Sequence, residues 1–508
     1  MSTTTSSLSL FNGYQILSYA LVIALLAYLY FKEIFSYWKD RKIQYVSPIP
    51  LFGNLLPVFL LRRNIAEQLA ELYRNTTGSI VGIFMLNRPA LLIRNPDIVK
   101  KLLIKNFDHF NNRSVGAGVD HARVPNGTCG LLASQDDTWK WLRKTVTPAF
   151  SASQLKSTTS DIQNVTEKTV DFIRRSSDKI SGDINIRDVC SRYSIESGCS
   201  TFFGIDPKCF SSEISPYMVV NTNLFDYRLF KRGVHIAMGF ISPAISKMLG
   251  LEFFHGDSTK CFVEHVRKTM IAREDNMEYR NDYLDIIREA IESYDGEGNL
   301  LFNTVEIFVA NNETLAAVLT FCCFELVKNQ EIQRKLRAEI LEIQKDDKSI
   351  PCEELCQLKY LECFVKEVIR MYPNVPFLDR ICKKDFLLDE PQLKIEEGTS
   401  VYVSLLGIHF DPEYYPEPHV FNPDRFLNDS IDWSVYLPFG KGPRMCPAKK
   451  YSEIIIKSYL ASVLTNFELT KSSRTTEKMV FHTKGFTLQP SEEVFLNMQP
   501  LNNTQTVY

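Results

Sequence analysis

Apolar side chains run almost unbroken from Tyr14 to Phe31 (YQILSYALVIALLAYLYF), and no charged residue occurs before Lys32. At about 1.5 Å of rise per helical residue, such a run with slight extension crosses a hydrocarbon core of about 30 Å, so it predicts a membrane-spanning helix. The basic residues Lys32, Lys39, Arg41 and Lys42 follow the run instead of preceding it, the reverse of a cleaved signal peptide. They are expected to hold the rest of the chain on the cytosolic side of an uncleaved anchor.

Beyond the anchor the pattern changes. Ser47-Pro-Ile-Pro-Leu-Phe-Gly-Asn54 carries two prolines and predicts a stiff, extended connection. Ser79 to Arg94 (SIVGIFMLNRPALLIR) predicts a β-hairpin turning at Asn87-Arg-Pro. From residue 151 to 298 long helical stretches alternate with loops, and within them Asn221 to Phe254 is dense in Phe, Leu, Ile and Met. Leu301 to Ile340 predicts one long helix and then a second. Ile408 to Pro418 predicts a turn-rich meander, and Lys484 to Pro490 a last hairpin with Phe486 as a candidate pocket wall.

Composition narrows the class. A chain of 508 residues with 45% hydrophobic and 23% charged side chains can bury a large core, as one large domain or two modest ones. Its net charge of -2 gives no reason to expect nucleic acid. Twelve cysteines without a CxxC pair point to reduced thiols in a cytosol-facing body.

The candidate chemistry sits in Leu437-Pro-Phe-Gly-Lys-Gly-Pro-Arg-Met-Cys446-Pro-Ala448. Gly440 and Gly442 permit positive φ, Arg444 sets a fixed charge two residues before the sulfur, and Pro447 suits the first turn of the helix predicted to follow. A cysteine at a helix start is favoured as thiolate. Elsewhere Trp139 and Arg143 stand four apart, so on a helix they share a face and can reach one ligand together. Thr314, in Ala310-Asn-Asn-Glu313-Thr314, can turn its hydroxyl onto the carbonyl one helical turn back and open a groove. Glu367 and Arg370 stand three apart, within contact range. His409 has no partner at ligand spacing and is expected to be structural. Asn312 lies in an Asn-x-Thr sequence, but glycosylation inside such a groove is incompatible with packing.

Phe439-x-x-Gly-x-Arg-x-Cys446 resembles the haem-binding loop of the cytochrome P-450 monooxygenases, although Ala448 stands where glycine is more usual. The resemblance extends in family order through the anchor, the proline segment, Trp139-x-x-x-Arg143, the Thr314 helix, Glu367-x-x-Arg370 and Pro423-x-Arg425-Phe. It implies a mainly α fold with a minor β-sheet. A single large domain (47–508) would follow an anchor and linker (1–46) in the endoplasmic reticulum membrane.

Several roles follow from that likeness. Cys446 would be the axial ligand of haem b. Arg113, Trp139, Arg143, Arg380 and Arg444 would hold or neutralise the propionates, while Thr314 and Glu313 would relay protons to O₂. Asn311 departs from the family's glycine in that motif, which bears on the relay. Glu367, Arg370 and Arg425 would form a buried network behind the cysteine loop. Residues 221–254 would roof the pocket and face the membrane. The chain would hydroxylate or epoxidise lipophilic small molecules, as the microsomal branch does with xenobiotics.

Electrons would come from an NADPH-dependent cytochrome reductase or a cytochrome b-type donor, since the chain has no Gly-x-Gly-x-x-Gly loop. Lys140, Lys144, Lys441, Lys449 and Lys450 could dock such an acidic partner. Two alternatives remain open at this stage: a haem-thiolate isomerase or dehydratase acting on a peroxide, and a membrane haem protein without turnover.

Overall fold

Helix α1 (Thr4–Asp40) runs without a break through the apolar stretch. The computed structural model describes residues 4–114, 130–177, 183–224, 256–293, 297–344, 350–389, 391–427 and 431–501, with isolated positions between 225 and 255. The expected pocket roof therefore lies largely outside the described residues. Along α1, Leu17, Leu21, Leu25 and Tyr30 are exposed, and the helix is long and apolar enough to cross a membrane.

The last turn of α1 is different. Trp38 is only 1% exposed, and its indole N–H donates to the Ile83 carbonyl at 3.0 Å. It lies where Gly82 has no side chain, since a Cβ there would run into the indole. Tyr37 and Arg41 both bond the Glu396 carboxylate, at 2.9 and 2.7 Å. The helix end is thus sewn to the body instead of leading into a free linker. The proline segment also departs from expectation: it folds back, with Ile49 and Gly53 exchanging two backbone hydrogen bonds of 2.8 Å. Gly53, at φ 59°, makes the reversal possible, and a side chain there would strike the backbone of Phe84 and Leu86.

The predicted hairpin is present as β1 (Ile80–Met85) and β2 (Arg88–Ile93). Two later strands, β3 (Phe377–Ile381) and β4 (Ser400–Ser404), complete a four-stranded sheet in the order β1-β2-β4-β3. Strands β2 and β4 are parallel, the other pairs antiparallel. Every residue of β1 is buried, which explains its unbroken apolar run. At the C-terminal end, Phe467–Thr470 pairs with Phe495–Pro500, and 481–490 closes only through a single Phe481–Pro490 bridge. The last hairpin is therefore built from strands flanking the segment expected to form it.

Helices make up most of the rest: α2 (Asp136–Val146), α3 (Ile186–Gly198), α4 (Glu297–Lys328), α5 (Lys359–Met371) and α6 (Lys449–Asn466). The predicted split of residues 301–340 falls at Asn329, between α4 and a helix over Gln330–Ile343. Helix α4 is largely enclosed and packs on α3 more extensively than any other pair of described elements. Two apolar clusters result, one among the helices and one under the sheet. The cysteine loop crosses the seam between them, with Leu437 in the sheet cluster and Phe439 and Ala448 against the helical one.

Candidate active site

The cysteine loop is fixed by its own backbone. Gly440 N–H donates to Leu437, Met445 N–H to Gly442 and Cys446 N–H to Phe439, each at 2.9 Å. Gly440 and Gly442 adopt φ of 73° and 78°, and a side chain at Gly442 would meet the Leu103 carbonyl. Helix α6 begins at Lys449 behind Ala448 as N-cap, so Pro447 precedes the helix and does not sit in its first turn. The Ala448 N–H is the backbone donor acting on the Cys446 sulfur. Burial pushes the thiol up, while that N–H, Arg143 and Arg113 favour thiolate. Cys446 lies deep in the molecule yet keeps some accessible surface, as a group bordering an interior cavity does.

Arg444 does not point its charge at the sulfur. Its Nε donates to Asn111 O and its Nη2 to Ser134 O, both at 2.7 Å, and the guanidinium lies 4.4 Å over the Trp139 ring. It ties the cysteine loop to Asn111 on one side and to Leu131 and Ser134 on the other. Helix α2 does place Trp139 and Arg143 together, with Trp139 buried and Arg143 donating to the Met445 carbonyl at 2.9 Å. Arg113 stands beside Arg380 because Ile381 N–H donates to Asn112 O at 3.0 Å and Ser114 N–H to Asp379 at 2.6 Å. Burial and the neighbouring Arg113 push both Arg380 and Arg444 well below their ordinary values. Guanidiniums do not give up their protons, so the direction measures how strongly this cluster favours an anion.

On α4 the Thr314 hydroxyl donates to Ala310 O at 2.6 Å, the arrangement expected from sequence. Ala310 is exposed in the middle of an otherwise buried helix, and Glu313 and Thr314 keep partial surface there. Burial raises Glu313 to about 7 against a lowering by Arg187, a value suited to proton exchange near neutrality. Asn311 faces the other way, with its Nδ2 on Ser194 O of α3 at 2.6 Å.

One site residue escaped the sequence reading. Glu306, two turns before Glu313, accepts the Leu132 N–H at 2.9 Å, and burial raises it to about 7. Asn303 accepts the Leu131 N–H at 2.9 Å. Helix α4 and Arg444 therefore grip segment 130–134 from two sides. The heptad-like spacing of Glu306 and Glu313 along an apolar helix was the available signal.

Behind the loop, Arg370 makes a two-pronged bond to Glu367 at 2.7 and 2.9 Å, and Arg425 Nε adds a third at 3.1 Å. Glu367 and Arg370 are both wholly buried. The spare donors of Arg370 go to His409 O at 2.6 Å and Pro418 O at 2.9 Å, so every nitrogen of the buried charge has an acceptor. His409 belongs to the same unit: one ring nitrogen meets Arg370 O at 3.0 Å and the other accepts Leu437 N–H at 3.3 Å. Its role there is structural.

The cytochrome P450 family model matches residues 44–497. Cytochrome P450 6k1 of Blattella germanica is 28% identical over 471 residues, covering 87% of this chain and 89% of that protein. Cytochrome P450 6A1 of Musca domestica is 29% identical over 510 residues, with 96% and 98% covered. Probable cytochrome P450 6d5 of Drosophila melanogaster is 28% identical over 503 residues, with 94% and 98% covered. Proteins of this family are haem-dependent monooxygenases that take electrons from a redox partner. A match over nearly the whole body, with relatives aligned almost end to end, makes this chain a member of the cytochrome P450 family.

Proposed function

We propose that the chain is a haem-thiolate monooxygenase that activates O₂ with reductase electrons and oxidises lipophilic small molecules. The donor set fits haem b. Arg113 Nε and Arg380 Nε are buried without hydrogen-bond partners among the described residues, and the nearby carboxylates of Glu306 and Asp379 are already committed to backbone amides. Arg113, Arg143, Arg380 and Arg444, four cations against those two carboxylates, leave room for the two negative charges of a porphyrin's propionates. The observation that carries the reading is the cysteine held at the tip of a loop with no freedom of its own.

Cys446 would ligate the iron, and a thiolate ligand, the established chemistry of this family, supplies electron density that favours O–O cleavage. Arg113 and Arg380, with unused donors, would hold the propionates, with Trp139 and Arg143 beside them. Arg444 would neutralise them from behind while clamping segment 130–134. Thr314 would pass a proton into the groove at Ala310, and Glu313 would resupply it from a carboxyl that is half-protonated near pH 7.

Residues 47–508 form the proposed catalytic domain and residues 1–46 its anchor and linker, a single pass in the endoplasmic reticulum membrane with the catalytic domain in the cytosol. An NADPH-dependent cytochrome reductase, with a cytochrome b-type donor as second source, would dock at Lys140, Lys144, Lys441, Lys449 and Lys450. The peroxide-isomerase alternative rested on Asn311, which faces α3 and gives it no support.

Membranes carrying the chain should show a thiolate-type Soret band when reduced under carbon monoxide, and Cys446→Ser membranes should not. Reconstitution with reductase and a panel of apolar compounds should give substrate-dependent NADPH use and an oxygenated product. A band unchanged by Cys446→Ser would end the reading.

A further inference from the structure

Asn311 occupies the place where the motif resembled here carries glycine, and its amide is anchored through one end: Nδ2 is hydrogen-bonded, while Oδ1 is buried with no partner among the described residues. Its amide leaves the cavity and enters the α3–α4 interface, donating to Ser194 O at 2.6 Å and to Asn312 Oδ1 at 3.2 Å. A carbonyl can only accept, so this contact fixes Nδ2 toward α3. Opposite it stands Gly198, where a Cβ would collide with that same Nδ2.

Gly198 has ordinary helical angles, φ -64° and ψ -43°, so no backbone demand requires glycine there. Glycine inside a helix is disfavoured by about 1 kcal/mol relative to alanine. What glycine supplies here is space, and Asn311 fills it. The neighbours Ser194, Glu196 and Ser197 are wholly buried, so the amide has no solvent to fall back on.

One residue before this contact and three after it, α4 presents its working surface. Ala310 is exposed within the buried helix, and its carbonyl receives the Thr314 hydroxyl. A helix that shifts along or rotates about its axis carries both with it.

We propose that Asn311 is a positioning residue: with Gly198 it forms a peg and socket that pins α4 to α3 and sets the angle at which the Ala310–Thr314 turn meets the cavity. This deepens the monooxygenase reading and rests on it only for turnover.

A double-mutant cycle on the full-length chain tests the pairing. Gly198→Ala should lower the melting temperature and haem content in the native background and do so much less in an Asn311→Gly background. Equal losses in the two backgrounds would show that the residues are not paired and would overturn the proposal whether or not any substrate is ever turned over. Asn311→Gly itself should keep the thiolate-type Soret band, while product formed per NADPH falls several-fold and hydrogen peroxide release rises to match. Asn311→Asp keeps the shape but turns an acceptor toward Ser194 O, so it should shift that partition at least as far as glycine does. Partition unchanged in both variants would mean that the contact is mere packing. A chain that carries the Soret band yet turns nothing over would count against the monooxygenase reading, and the cycle would still decide the pairing.

Discussion

The two sides of the site are built on opposite plans. Behind the cysteine loop, every side-chain nitrogen of Arg370, Arg425 and His409 and both oxygens of Glu367 take part in a hydrogen bond. Around the arginine cluster and α4, donors at Arg113 and Arg380 have no partner among the described residues, and Ala310 is bare within a buried helix. The first region is complete as protein; the second is complete only with something bound. A satisfied network gives rigidity and tolerates no deletion, whereas unsatisfied groups at a cavity are where ligand chemistry enters.

Removing Glu367 is the severest way to break that contrast. Glu367→Ala would leave Arg370 charged, wholly buried and without its carboxylate, a loss of about 3–5 kcal/mol. The expected outcome is little folded protein and no thiolate-type Soret band on expression. On the other side, Thr314→Ala removes one exposed hydroxyl whose only hydrogen-bond partner among the described residues is a carbonyl in its own helix. Folding and haem content should survive, while product formation falls on the order of 10²-fold with peroxide released instead. If the two variants behaved alike in expression and spectrum, the division into a structural and a chemical side would not hold.

Gly442→Ala sharpens the comparison at the boundary. The position combines φ of 78° with contact to the Leu103 carbonyl, so a methyl group is opposed twice. A loss of about 1–3 kcal/mol, read as a lower melting temperature with a weakened Soret band, is expected.

The same division explains what could be read from the chain alone. The cysteine loop, the Glu367–Arg370 pair and the Trp139–Arg143 pair depend on local spacing and on glycine conformations, visible in one dimension, whereas the joining of Arg425 to that first pair was implied only by the family resemblance. The direction of Arg444 was not visible, because its acceptors are backbone carbonyls of Asn111, Leu131 and Ser134, which leave no mark in side-chain identity. Glu306 was overlooked for the same reason, since its partner is the Leu132 amide. Asn311 could be noticed as a departure but not interpreted, because its explanation is an absent side chain at Gly198 more than a hundred residues earlier. The buried end of α1 at Trp38 likewise depends on Gly82, and the turn at residues 49–53 on Gly53 beside Phe84.

Glu313 provides the finest test, because its two expected effects have opposite signs. Burial raises its carboxyl from 4.5 to about 7, so between those values the folded chain holds a proton that the unfolded chain has lost. Stability therefore falls as pH rises through that window. Glu313→Gln should match the native chain near pH 4.5, where both side chains are neutral, and exceed it on the order of 1–3 kcal/mol at pH 8. Turnover should move the other way, with the variant losing most where the native carboxyl still carries its proton, below about pH 7. Melting curves and product formation measured across pH 5 to 8 check both. A variant less stable than the native chain at pH 8 would place Glu313 with the satisfied groups behind the loop, not with those kept ready for chemistry.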